Sequence, residues 1–260
     1  FDADGALAAQ AAHIPVHLGS MAYAMRDLVG GIDWQPGDQV VLNDPYLGGT
    51  HLPDVTLIAP VFVAGERVAF VVNRAHHADI GAISPGSMPV SRTLEEEGLV
   101  IPPTRLVRGG HLDAAVFDGI RAGLGGEGDA AGDFAAQISA NRRGVQRCDE
   151  LLAALGVTRF SASLAALNDY GERLAAQALA QLPAGRYTAE DWLDDDGQGG
   201  RRIPLRLQLT VDEDGILADF AGTAPQVAGN VNCPLSVAAA GVYYAFRCLM
   251  PAQTPAAATE

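Results

Sequence analysis

Cysteine is scarce in this 260-residue chain: Cys148, Cys233 and Cys248 are an odd, widely spaced set with no CxxC pair. That excludes a disulfide framework and a zinc ribbon and fits a reducing cytosol. Each thiol reads as a small core hydrophobe rather than a nucleophile. No apolar run approaches the roughly 20 residues that span a bilayer. No basic n-region with a following apolar stretch marks a signal peptide. These absences point to a cytoplasmic location and no membrane partner. Positive charge is the minority sign, with 17 Lys and Arg against 31 Asp and Glu and a net charge of -14. Nucleic acid and anionic lipid are therefore expected to be repelled, and solubility accounts for the acidity. Also missing are a GxSxG elbow, a GK[ST] phosphate loop and a GxGxxG opening a helix.

What is present is globular: 48% of the residues are hydrophobic, in a chain long enough for a substantial core. Up to about residue 110 the pattern is strand-rich. Met21, Met25, Leu28 and Val29 recur at helical spacing before Gly30-Gly31, and Gln39 to Leu42 reads as a strand ending at Asn43-Asp44-Pro45. Asp54 to Val63 and Glu66 to Asn73 form apolar, β-branched runs joined at Ala64-Gly65, the pattern of a hairpin. The stretch from Gly81 to Pro103 holds four prolines and three glycines, which predicts a long ordered loop or a set of short turns. From 112 to 182 the periodicity is helical, with Ala135, Ile138, Val145, Leu151, Leu152 and Leu155 recurring near a 3.6 period and a second helix over about Leu164 to Leu182. From 185 to 260 antiparallel strands return, turning at Asp212-Glu213-Asp214-Gly215, with one wet face and a final helix over Leu235 to Met250. The order strand-rich, helical, strand-rich predicts an α+β fold. Phe1 to Gly5 reads as a strand end entering a turn, and Pro251 to Glu260 completes no element, so a piece of a longer protein is expected.

The residues with chemistry cluster at the mouth of the hairpin. Gly49-Thr50-His51-Leu52-Pro53-Asp54 leads into its first strand, and Arg74-Ala75-His76-His77-Ala78-Asp79 follows the second. A mixed His/Asp set suits Zn(II), Mn(II) or Fe(II) with a position left open. A hairpin would bring His51, Asp54 and His76 to one sheet end. Read alone, HxxD is more often a loop turn with a capping Asp and a solvated His, and the second His/Asp cluster beside the hairpin mouth is what favours metal binding. Neighbouring strand-end residues point opposite ways, so His77 faces away if His76 faces the cluster, and Asp79 shares the side of His77. Asp44 and Tyr46 read either as substrate-positioning groups or as an Asx-turn with a packed Tyr, and Gly48-Gly49 permits close backbone approach. His13 and His17 stand four apart, but Pro15 between them disfavours a helical ligand pair. Hydrogen-bonded or substrate-facing roles are expected for both. Glu95-Glu96-Glu97 reads as a solvated face and Asp194-Asp195-Asp196-Gly197 as a turn.

At these residues the sequence resembles the hydantoinase B/oxoprolinase family. The segments that carry the resemblance are FDADGALAAQAAHIPVHLGSM, PGDQVVLNDPYLGGTHLPDVTLIAPVF, NRAHHADIGAISPGSMP and EEEGLVIPP. Further along are GDFAAQISANRRG, LDDDGQGG and DFAGTAPQVAGNVNCPLSVAAAGVYYAFRCLMP. The resemblance implies that residues 1–260 are the N-terminal portion of a hydantoinase B-type domain with its metal set on His51, Asp54 and His76. It implies an A-type partner subunit or domain that binds ATP with Mg and phosphorylates a small cyclic amide. The B-type component would then hydrolyse the activated substrate at its metal site, with Asp79 or His77 moving protons and Asp44, Tyr46, His13 and His17 near the substrate. Family chains are about twice as long and carry an acidic residue upstream of the point matching Phe1. Three functions follow as alternatives: a subunit of an ATP-dependent cyclic-amide hydrolase, a subunit of an ATP-dependent ketone carboxylase, or a non-catalytic assembly partner.

Overall fold

The computed structural model describes residues 1–11, 14–125, 130–252 and 254. The fold is α+β, as the order of patterns predicts. A helix, α1 (His17–Leu28), precedes β1 (Gln39–Leu42), a 3-10 turn at Pro45–Leu47, and the hairpin of β2 (Asp54–Val63) and β3 (Glu66–His76). After a one-turn helix α2 (Leu94–Glu97) come β4 (Thr104–Arg108) and β5 (His111–Leu112). The five strands form one antiparallel sheet in the order β3-β2-β1-β4-β5. The helices α3 (Ala114–Gly123), α4 (Ala130–Leu155) and α5 (Val157–Leu179) follow, then β6 (Gly185–Asp195), β7 (Arg201–Asp212), β8 (Gly215–Asp219) and α6 (Leu235–Arg247).

Side-chain parity along the central strands divides the core. Val41, Val55, Leu57 and Leu106 point to one face, where they pack with Ile120 of α3 and with Phe134 and Ile138 of α4. Val40, Leu42, Ile58 and Phe70 point to the other, against Met25 and Leu28 of α1 and Trp34. Each face is covered, which is why these strands read as near-continuous apolar runs. The α4 contact also has a polar component. Gln137 and Asn141 are buried; Gln137 Nε2 donates to Val55 O at 2.9 Å and to Asn73 Oδ1 at 2.8 Å, and Asn141 Nδ2 donates to Leu57 O at 3.1 Å.

The hairpin outruns its apolar pattern. The apolar run predicts a second strand ending at Asn73, but the strand pairs through to His76, which lies opposite Asp54. The extension is polar: Arg74 faces Thr56 in register, and its Nε donates to Thr56 Oγ1 at 2.8 Å. At the turn, Ala64 and Gly65 both have positive φ, 52° and 88°, as a two-residue turn matched to strand twist requires. The helix expected from about Leu164 begins earlier, at Val157, because α4 and α5 are separated by Gly156 alone.

The second sheet, in the order β6-β7-β8, is antiparallel as expected, but the single wet face is not. Strand β6 is exposed along nearly its whole length, and Tyr187, Leu205 and Leu217 are exposed apolar residues. Among the described residues no helix packs extensively on this sheet, so alternation there does not translate into burial. No single helix among the described residues is long and apolar enough to cross a membrane.

Candidate metal centre

The hairpin end and the loop before it build the site. Asp54 and His76, as register partners, share the α1 side of the sheet. His51 sits one turn earlier, in a bend closed by the Asp54 N–H donating to His51 O at 2.9 Å. The bend is anchored from two sides. Asn43 Nδ2 donates to Leu52 O and Leu99 O at 2.9 and 2.8 Å, and Ser236 Oγ at the start of α6 donates to Gly49 O at 2.7 Å. Gly48 has φ of 84°, and a Cβ there would lie 2.3 Å from the Ala24 backbone nitrogen. Only glycine lets the loop approach α1 this closely.

The three side chains converge. One ligand atom from each of His51, Asp54 and His76 lies within 4.8 Å of the others. Nδ1 of His51 is 2.9 Å from Asp54 Oδ2, and Nδ1 of His76 is 2.9 Å from Asp54 Oδ1. The two imidazole rings meet edge to face with centroids 4.9 Å apart. Asp54 is only 1% exposed and also accepts a hydrogen bond from Thr50 Oγ1. Burial alone would push its carboxyl up. The close approach of the His51 and His76 imidazoles and the Thr50 hydroxyl, with the charge of His51, outweighs that and holds it well below the usual carboxylate range. The neighbouring carboxylate in turn raises the His51 pKa, against burial and the charge of Arg74.

A nitrogen lone pair and a carboxylate oxygen at 2.9 Å repel unless a proton or a cation lies between them. His51 Nδ1 is shut off from solvent yet has no aligned hydrogen-bond partner, an orphaned buried donor atom facing a buried carboxylate. Ligands each about 2 Å from one ion are close to one another in this way. The residues present therefore fit a divalent metal of the Zn, Mn or Fe type by chemistry and by convergence.

Several neighbours escape a reading by motif. Arg74 is a partly buried cation behind the cluster: NH1 donates to Ser20 Oγ at 2.7 Å and lies 3.2 Å from His17 Nδ1, and NH2 donates to Gly48 O at 3.0 Å. Burial draws its pKa down to about 10, with Asp54 opposing, so it stays charged at neutral pH. His17 joins the site, its Nε2 lying 4.0 Å from Asp54 Oδ2. Because Arg74 donates to Nδ1, the neutral ring carries its proton on Nε2 and offers no lone pair to an ion. Ser87 Oγ lies 2.7 Å from His76 Nε2. Glu97, expected on a solvated face, is half-buried; burial raises its pKa against the nearby Ser91 hydroxyl and the charge of His51. Arg74 shares the face of His76 by strand parity, two residues before it, whereas packing between separate segments brings His17, Ser87 and Glu97 here.

Other candidates fall elsewhere. His77 is 1% exposed and turned to the opposite face, as strand parity requires; its Nε2 lies 2.8 Å from Gln137 Oε1 and its ring packs on Phe134. The structure therefore corrects its assignment as a proton carrier at the cluster: it is a core histidine under α4. Asp79 is exposed, and its Oδ1 accepts from Gly81 N at 2.8 Å, a local turn and not a contact with the cluster. Asp44 caps the 3-10 turn by accepting from Tyr46 N at 2.9 Å, the Asx-turn alternative, while the Tyr46 side chain is exposed, not packed. His13 lies outside the described residues.

Known proteins share this arrangement of segments. The family model described as "Hydantoinase B/oxoprolinase" matches residues 1–259. The chain belongs to the hydantoinase B/oxoprolinase family. A 5-oxoprolinase of Dictyostelium discoideum is 34% identical over 265 residues, covering 98% of this chain and 21% of that protein. The putative B component of a D-/L-hydantoinase from Pseudomonas sp. (strain NS671) is 35% identical, covering 76% of this chain and 35% of that protein. The crystal structure of the ATP-dependent caprolactamase from Pseudomonas jessenii superposes with a TM-score of 0.89 at 30% identity, covering all of this chain and 45% of that one. This hydantoinase B/oxoprolinase chain thus spans about a fifth of the oxoprolinase and under half of the caprolactamase chain.

Proposed function

We propose that this chain carries the metal site of a B-type component that hydrolyses a small cyclic amide after ATP-dependent activation by an A-type partner subunit or domain. The convergence of His51, Asp54 and His76, with the His51 Nδ1 left orphaned, carries the reading. Relatives named as a 5-oxoprolinase and as a hydantoinase component, and a structural neighbour named ATP-dependent caprolactamase, support the substrate class and the need for ATP.

Bound there, a divalent metal would lower the pKa of a water and polarise a substrate oxygen. The chain's own residues prepare that chemistry. His51 and His76 present Nδ1, and Asp54 supplies the negative charge, oriented by the Thr50 hydroxyl. Arg74 clamps α1, the Gly48 carbonyl and β2 into one unit, so the cluster stands on rigid elements and not on a free loop. His17 turns an Nε2 proton toward the site, where it can donate to a substrate oxygen. Exposed Tyr46 lies in the turn leading to the His51 loop, placed to contact a substrate or the A-type partner.

The test is elemental analysis of the purified chain beside His51→Ala/His76→Ala, followed by ATP turnover with an A-type partner and a panel of lactams. About one Zn, Mn or Fe per chain, lost in the variant together with lactam hydrolysis, is the expected result. No metal in the wild type overturns the site, intact activity in the variant returns the cluster to a structural role, and turnover that requires bicarbonate overturns hydrolysis in favour of carboxylation.

A further inference from the structure

His76 uses both ring nitrogens. Nδ1 faces Asp54 at 2.9 Å and Nε2 faces the Ser87 hydroxyl at 2.7 Å. Resting on the metal reading above, Nδ1 must offer a lone pair to the site shared with His51 and Asp54. The ring proton then sits on Nε2, and Ser87 Oγ accepts it.

We propose that Ser87 is the positioning residue for His76, fixing its ring orientation and its Nε2–H tautomer so that Nδ1 is held toward the cluster. His76 is the ligand most in need of one. Its side chain is 42% exposed, against 30% for His51 and 2% for Asp54, and it closes an outer strand of the sheet, so packing restrains it least. A partner on the far nitrogen of a ligating imidazole is the usual way such a ring is oriented.

The loop that carries Ser87 is pinned from three directions, which makes the hydroxyl a fixed acceptor. Gly86 N donates to Ala78 O at 2.9 Å, closing the loop back on the end of the hairpin. Asn230 Nδ2 donates to Pro89 O at 2.7 Å, and Arg92 Nε donates to Gln198 Oε1 at 2.7 Å. The last two contacts come from the segment before α6 and from the tip of the β6–β7 hairpin. The second sheet, which lends no side chain to the cluster, thereby holds the loop that orients one of its ligands.

Ser87→Ala and Ser87→Thr test this, because Ser87 is exposed and neither change disturbs the core. Zn(II) affinity is measured by chelator competition, and Co(II) is added as a spectroscopic probe of ligand geometry. Ser87→Ala is expected to weaken Zn(II) binding about 10- to 100-fold and to shift the Co(II) absorption band. Ser87→Thr, which keeps the hydroxyl, restores both. An affinity within about two-fold of wild type for Ser87→Ala, with an unchanged band, overturns the positioning role while leaving the metal site intact. So does a threonine variant that behaves like alanine. A wild-type chain that binds neither Zn(II) nor Co(II) overturns the metal reading and this inference with it.

Discussion

Asp54 and His76 are register partners at the open end of a hairpin, the first residue of a ten-residue strand and the last of an eleven-residue one, with Oδ1 and Nδ1 2.9 Å apart. The pairing ties the site to the sheet: a change in strand register of one residue would turn Asp54 to the α4 face and separate it from His51.

Metal binding is expected to strengthen with pH. The Asp54 carboxylate raises the His51 pKa, and a protonated imidazole offers no lone pair, so binding displaces a proton. Affinity should fall as pH drops through the raised His51 value, which lies above the ordinary value of about 6.5, and level off above it. Without metal the sign reverses. The raised His51 contributes stability that is complete below about pH 6.5 and lost as pH rises through its folded value. The lowered Asp54 contributes stability that is present above about pH 4 and lost on acidification. Metal-free protein should therefore melt highest between those limits. A Zn(II) affinity that is flat across the neutral range would contradict the assignment of His51 as a ligand.

Arg74→Leu should destabilise the fold by at least about 2 kcal/mol, since Ser20 Oγ, Gly48 O and Thr56 Oγ1 lose their donor where solvent cannot replace it fully. Chemical denaturation measures this. An unchanged midpoint would mean that the guanidinium does not hold α1 to the sheet.

His77→Phe separates a core histidine from a catalytic one. Phenylalanine keeps the contact with Phe134 but leaves Gln137 Oε1 without its partner, at a cost of roughly 1–3 kcal/mol. Stability should fall while metal content stays at the wild-type level. A variant with wild-type stability and metal content but no turnover would return His77 to the reaction.

Much of this was legible in the chain alone. Strands β1 and β2 end where their apolar runs end, and Ala64-Gly65 marks the hairpin turn. The spacing of His51, Asp54 and His76 about that hairpin suffices to bring them together, because strand pairing is a local rule that two segments and a short turn can satisfy. Parity along β3 also sends His76 and His77 to opposite faces. The polar continuation of β3 was not legible, since Arg74 and His76 break the hydrophobic alternation that marks a strand.

What only the tertiary structure decided is how the cluster is supported. His17 comes from a helix 34 residues before His51, Ser87 from a loop fixed by residues near 198 and 230, and Glu97 from the far end of that loop. The exposure of the second sheet belongs here as well, because alternation along a strand specifies two faces but not what lies against either. The local pattern determined which residues could be ligands, since strand geometry repeats every two residues. The lowered pKa of Asp54 comes from His51 and Thr50 in its own loop and from its register partner His76, but the burial of Asp54 depends on groups distant in sequence, whose approach is set by the packing around the sheet.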